Sequence, residues 1–324
     1  MGLSRALTSK STQTPITKVF VRKASASDAE LVLEILNSEI AAVDPAHGLF
    51  GLDMVKQIID SPGDPSPTYL FSDDETSVPF GVGNLHPDLS AKELEPTLSV
   101  RAGDRRYGDL LDWFIAEANR EYPEFKFQIE INQRHKENLE HLASRGFKIV
   151  REYNSLRAKV VPNITDPVLP EGVTVRAADK TNMQDLKDWH MVYQSSFAEN
   201  FGFTPRDFES WHKRIEADEF IPSDGVFLLY EDTEPSGFIW TDDMDAFDLR
   251  GFVTYIGVLK QHRGKGYGQI LLAAALARFS RLGYTAAELG VDTRNSSNAL
   301  RVYEKMGFEK LSTWILHERA VNTN

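Results

Sequence analysis

The 324-residue chain contains no cysteine. That excludes disulfides, thiolate metal sites and cysteine nucleophiles together. A missing disulfide framework suits a cytoplasmic location, which is the expected one. No apolar run approaches the roughly 18 residues that a membrane-spanning helix needs, so no membrane partner is expected. The opening MGLSRALTSKSTQTPITK lacks the apolar segment of a signal peptide and reads as a flexible tail over residues 1–18. Positive charge is also scarce: 36 Lys and Arg stand against 48 Asp and Glu, a formal net charge of −12. A general nucleic-acid binder normally shows the opposite balance, so no such partner is expected, whereas a cationic small molecule suits the sign. The eight histidines show neither HExxH nor another ligand spacing, and no metal is expected. Asp242, Asp243, Asp245 and Asp248 are close in sequence and read as a solvated loop that would attract a cationic molecule only if it faced a cleft.

What is present is an ordinary globular composition, 41% apolar, at a length that suggests two domains. Comparing the chain with itself supports this. Val21-Arg22-Lys23-Ala24 opens one half and Val175-Arg176-Ala177-Ala178 the other. Gly146-Phe147 and Gly307-Phe308 each precede a closing β-prone piece. In between, Val100–Gly108 (VRAGDRRYG) parallels Val258–Gly266 (VLKQHRGKG), and a helix-like run follows each. Residues 162–172, rich in Pro and turn formers, read as the linker between units 19–161 and 173–321. Apolar periodicity predicts a mixed α/β order (α+β in character) rather than strict βαβ repetition. In the second unit it places strands at 173–177, 226–230, 236–241, 252–259 and 286–291, two strand-like pieces within 308–318, and helices near 179–201, 205–220, 268–284 and 298–306.

The stretch LKQHRGKGYG concentrates three glycines and three cations where a simple turn would serve. A phosphate-binding P-loop needs Ser or Thr after Gly-Lys, but Gly266 follows Lys265. The dinucleotide fingerprint GxGxxG does not fit Gly264, Gly266 and Gly268 either. What remains is a loop whose amides, unshielded by side chains, open a long helix. Such an N-terminus binds anions through its free N–H groups and its dipole. Arg263 and Lys265 can add charge-assisted contacts to phosphate. The plain alternative is a solvated basic turn before a surface helix.

This loop, its place after the strand YIGVL, and the later Asn-Ala…Tyr…Gly-Phe element resemble the GNAT acyltransferase superfamily. A degenerate unit followed by a well-formed one resembles the tandem arrangement of mycothiol synthase and its relatives. The resemblance implies two GNAT-like domains, each a mixed, mostly antiparallel sheet flanked by helices. It implies an N-acetyltransferase that uses acetyl-CoA as co-substrate and a small-molecule primary amine as acceptor, in a monomer or dimer. Coenzyme contacts would come from Ile256, Gly257 and Val258 on the strand and from Arg263, Gly264, Lys265, Gly266, Tyr267 and Gly268 in the loop. Asn295 is a further coenzyme contact by the same resemblance. Gly257 would let the pantetheine arm approach, or else merely mark a bulge. Tyr303, four residues before Gly307, matches the family's general acid; a core tyrosine with its hydroxyl at the rim is the alternative.

The general base is harder to place. A Glu seven residues before the equivalent of Val258 would serve in the mycothiol synthase pattern, but the matching region is Gly251-Phe252-Val253. Glu288 and Asp292 are the leading substitutes, with Asp242, Asp243 and Glu199 behind them. In the first unit Leu142 replaces the tyrosine, and direct alignment puts Leu110 opposite Gly268, with Asp104 and Asp109 opposing an anion. That unit therefore reads as structural, a wall for the acceptor site. A non-catalytic acyl-CoA-binding protein is the competing function.

Overall fold

The computed structural model describes residues 19–45, 49–60, 66–89, 91–217, 221–243, 248–294 and 299–321. The expected tail, Asp245 and Asn295 lie outside them. The first unit runs β1 (Phe20–Lys23), α1 (Ala29–Val43), α2 (Leu52–Asp60), β2 (Tyr69–Ser72), β3 (Gly81–Asn84), β4 (Pro87–Asp88), β5 (Glu93–Leu94), β6 (Thr97–Val100), α3 (Tyr107–Glu121), β7 (Lys126–Asn132), α4 (Lys136–Ser144) and β8 (Lys148–Lys159). The second runs β9 (Val173–Ala177), α5 (Met183–Phe197), α6 (Phe208–Ala217), β10 (Val226–Glu231), β11 (Glu234–Asp242), β12 (Arg250–Val258), α7 (Tyr267–Arg281), β13 (Ala286–Asp292), α8 (Ala299–Lys305) and β14 (Glu309–Ala320). Local chemistry explains several boundaries. Asn182 caps α5 by accepting from the Gln184 amide at 2.9 Å. The β10–β11 turn is tight, with Asp232 in the left-handed region at φ 55°.

The two-unit plan holds, with one difference. Instead of two self-contained sheets, one ten-stranded sheet runs through both units in the order β4-β5-β7-β14-β8-β13-β12-β11-β10-β9, beside a four-stranded sheet β1-β2-β3-β6. The closing strands are exchanged. β8 of the first unit pairs with β13 of the second, and β14 of the second pairs with β7 of the first. The two exchanged strands then pair with each other. The two pieces expected within 308–318 are accordingly one twelve-residue strand, kept continuous by partners on both edges and shifted in register at Lys310/Ser312 and Leu316/His317.

Core packing follows the exchange. Leu156, Ala158 and Val160 of β8 and its end sit in the apolar cluster beneath α7, together with Leu271, Leu272, Ala275 and Phe279. Val321, just past β14, belongs to the cluster of Leu110, Phe114 and Phe127 under α3. Burying one such Leu side chain contributes about 1.5–3 kcal/mol, so each unit draws part of its core from the other. A second layer, α5 and α6, covers the opposite face through Trp189, Val192, Trp211, Leu228 and Phe238. The linker lies along α7, where Ser280 Oγ donates to the Val161 carbonyl and Arg281 pairs with Asp166, each at 2.8 Å.

Candidate active site

The strand before the glycine loop is opened on one edge. β12 pairs in parallel with β13 only from Arg250–Ala286 to Val253–Leu289. Its register against β11 breaks between Trp240 and Thr241, and Thr254 falls in the break. A bulge of this kind bends a strand. From Tyr255 onward the β12 edge leans away from Leu289, Gly290, Val291 and Asp292, and both edges line one cavity of about 1030 Å³. Ile256, Gly257 and Val258 lie on this wall. Gly257 is there for a reason other than ligand access. A Cβ at this position would collide with Ser196 Oγ of α5 and stand 2.7 Å from the Phe238 ring. The approach it permits is that of a helix.

The loop itself is open. Gly264 and Gly266 take φ +82° and +85°, a region that L side chains avoid, and a Cβ on either would meet no atom within 4 Å. A Cβ on Gly268 would meet only Val302 Cγ1, at 3.8 Å. Gln269 and Ile270 both donate to the Gly266 carbonyl, so the amides ahead of them form the helix N-terminus. Gly264, Gly266, Tyr267 and Gly268 line the cavity with Arg263, whose Nε donates to the Val258 carbonyl at 3.1 Å. This is a space shaped for an anion, and the residues present fit a diphosphate.

Lys265 is a correction. It does not line the cavity; its Nζ donates to both Glu231 oxygens at 2.7 Å. His262 Nδ1 lies 2.6 Å from the same carboxylate, and its ring stacks on Tyr267. Lys265 holds the Glu231 carboxyl down at about 2. The loop is thus tied to β10 through a charge that was expected to meet phosphate.

Tyr303 lines the cavity from α8, beside Phe308. It is 7% exposed, and burial pushes its hydroxyl up to about 12, so it holds its proton at neutral pH. Asp292 also faces the cavity, 3.6 Å from Arg151 Nε of β8. Tyr153, directly opposite Asp292 on β8, is pushed up to about 12 by burial, and then by the charges of Asp292 and Glu130. Glu288 is the second correction. It is 3% exposed, away from the cavity, and accepts from Arg157 Nη2 and Arg250 Nη1 at 2.6 Å. A carboxylate held between two guanidiniums ties the units together, and Glu288 does not reach the cavity. The other carboxylates are also engaged. Asp242 accepts from Thr254, Asp243 and Asp224 hold the buried Arg278, Asp248 pairs with Arg250, and Glu199 pairs with Lys260 at 3.2 Å.

The far wall of the cavity comes from the first unit: Asp88, Glu93, Glu95, Arg151 and Tyr153. Sequence reasoning named none of these. The alternation Arg151-x-Tyr153 places both on one strand face, but nothing in the chain shows that β13 is their neighbour. Opposite them Tyr193, Phe197, Phe203 and Tyr255 form an aromatic patch with ring centroids 5.2–6.4 Å apart.

Residues 184–308 match the acetyltransferase (GNAT) family. The match lies wholly within the second unit. The mycothiol acetyltransferase of Streptomyces griseus is 35% identical over 167 residues, covering 50% of this chain and 52% of that protein. That of Salinispora arenicola is 32% identical over 183 residues, covering 54% and 57%. The chain thus spans about half the length of the curated relatives it matches. The fold likeness extends further than the sequence likeness. A GCN5-related N-acetyltransferase from Sphaerobacter thermophilus superposes with a TM-score of 0.74 at 18% identity, covering 94% of this chain and 96% of that one. A tandem GNAT protein from the clavulanic acid biosynthesis pathway gives 0.75 at 16%, covering 95% and 100%. The fold of both units together is therefore shared with these proteins. Among the described residues, no helix is long and apolar enough to cross a membrane, and no group of His, Asp and Glu is placed to hold a metal.

Proposed function

We propose that the GNAT domain of this chain transfers the acetyl group of acetyl-CoA to the primary amine of a small molecule. The observation that carries this reading is a single cavity into which the open β12 edge, the unfilled glycine loop and Tyr303 all converge. The amides from Gly264 to Gly268 and the Arg263 guanidinium would hold the diphosphate, and the Ile256–Val258 backbone the pantetheine arm. A main-chain N–H near Val258 would then face the acetyl oxygen as negative charge develops on it. The amine nitrogen attacks the thioester carbonyl, its proton passes to Asp292 directly or through water, and the C–S bond breaks. Tyr303 returns a proton to the departing thiolate, a role that suits a hydroxyl kept neutral by burial. Glu93, Glu95 and Asp292 on the cavity wall favour a cationic acceptor. Phe252, standing where a catalytic Glu would be matched, favours the second reading, an acyl-CoA-binding protein without turnover.

The two readings separate in one assay: coenzyme A release from acetyl-CoA across an amine panel, with Tyr303→Phe as control. Amine-dependent release that Tyr303→Phe suppresses supports transfer. Tight acetyl-CoA binding with no release across the panel would leave only the binding reading.

A further inference from the structure

We propose that Arg151, a residue of the first unit, is a positioning residue of the acceptor site in the second, fastening the loop 198–204 and the end of β13 over the cavity. The proposal rests on the acetyl-transfer reading for what the site does, but its geometry is independent of that reading. Arg151 reaches the cavity only because β8 is exchanged, lying between β13 and β14. Its guanidinium stacks over the Phe201 ring, 3.8 Å from the centroid, while its Nε lies 3.6 Å from Asp292 Oδ2. Its Nη1 donates to the neighbouring Val150 carbonyl at 2.8 Å, which fixes the plane of the group. Phe201, Arg151 and Asp292 all line the same cavity.

Three segments of distant sequence therefore meet at one cation. Phe201 is 41% exposed and sits in the connection between α5 and α6, so little else packs on its ring. Phe203 of the same loop joins the aromatic patch through Tyr193 and Phe197. Just beyond it Arg206 pairs with Asp88 of the first unit at 3.1 Å. The loop is thus clipped to the other unit at two points. Asp292 is held from the opposite direction by accepting the Arg294 amide at 2.8 Å. A guanidinium between a ring face and a carboxylate fixes both in direction, which a lysine ammonium does less well. The first unit is in this view a working part of the acceptor site, not only its wall.

Amide hydrogen exchange on the full chain tests the fastening without any ligand. Arg151→Ala is expected to speed exchange across 198–204 by about tenfold, the size of a lost cation–π and charge contact. Arg151→Lys and Phe201→Leu should each speed it less. In the transfer assay Arg151→Ala should raise the acceptor KM by about tenfold while calorimetric affinity for acetyl-CoA stays unchanged. Unchanged exchange over 198–204, or acceptor KM and coenzyme affinity lost together with a fall in Tm, would overturn the proposal in favour of a purely structural arginine. A wild-type chain that binds no acetyl-CoA would sink the transfer reading alone, because the exchange comparison still decides whether Arg151 holds the loop.

Discussion

The two units follow one plan and differ where an anion would sit. In the second, nine residues lead from Val258 to the first residue of α7, Tyr267; in the first, seven lead from Val100 to the first residue of α3, Tyr107. Tyr107-Gly108 therefore corresponds to Tyr267-Gly268, and the direct alignment of Leu110 with Gly268 is off by two because the shorter loop has lost one of its left-handed glycines. A Cβ on Gly268 would come no nearer than 3.8 Å, to Val302 Cγ1, whereas one on Gly108 would stand 2.8 Å from His141 Nδ1 and 2.9 Å from Arg145 Nη2. The cradle that stays open in one unit is filled by side chains in the other. Charges differ too. Arg101, Arg105 and Arg106 are spent on Glu34, Glu137, and Asp104 with Asp73. In place of an open slot, the smaller cavity of about 420 Å³ holds Glu39, which accepts from Ser99 and Asn138 and is pushed up to about 7 by burial. Fold is shared, and the two units differ here in loop length, one filled glycine and a buried carboxyl.

The sharpest way to test this contrast is the tyrosine that only the second unit has. Tyr303→Phe should lower kcat by about 100-fold or more, the usual contribution of a general acid, with acetyl-CoA affinity unchanged. Leu142→Tyr in the first unit should add no activity. Next in size is the tie across the exchanged strands. Glu288→Gln leaves the buried Arg250 and the half-buried Arg157 without their shared anion, and should lower unfolding stability by about 3 kcal/mol in denaturant titration. A loss below about 1 kcal/mol would mean that the exchange does not depend on this pair.

Glu39 provides the pH arm of the comparison. Its folded value of about 7 lies above the ordinary 4.5, so its folded state holds the proton more tightly. The stabilising contribution is present below 4.5 and is lost as pH rises through 7. At pH 8 Glu39→Gln should therefore stabilise the chain by on the order of 2–3 kcal/mol, and at pH 4 by almost nothing. Equal effects at both pH values would contradict a buried, protonated Glu39. The smallest expected effect separates strain from function. Gly266→Ala and Gly103→Ala impose similar strain, at φ +85° and +82°, each costing about 1 kcal/mol. Only the first should also weaken acetyl-CoA, by about tenfold.

Sequence pattern reached the order of elements because strands such as Val226–Glu231 are short β-prone apolar runs and helices such as Tyr267–Arg281 carry a wide apolar stripe. It reached the loop because Gly264 and Gly266 advertise a backbone that no other residue adopts easily. It did not reach Lys265 or Glu288, whose partners Glu231, Arg157 and Arg250 are distant in the chain. Both charges suited their expected roles by type, and each is consumed by a contact that only folding creates. Arg151 and Tyr153 were missed for the complementary reason. Their strand face is legible, but strand exchange follows from pairing between units, and no local signal in β8 names β13 as its neighbour.

The account stands on the second unit, and not the first, being the one that holds the coenzyme. Isothermal calorimetry of the full chain with acetyl-CoA tests this directly: one site per chain, weakened by Gly266→Ala and untouched by Gly103→Ala. Two sites per chain, no binding, or a site weakened by Gly103→Ala instead would contradict it.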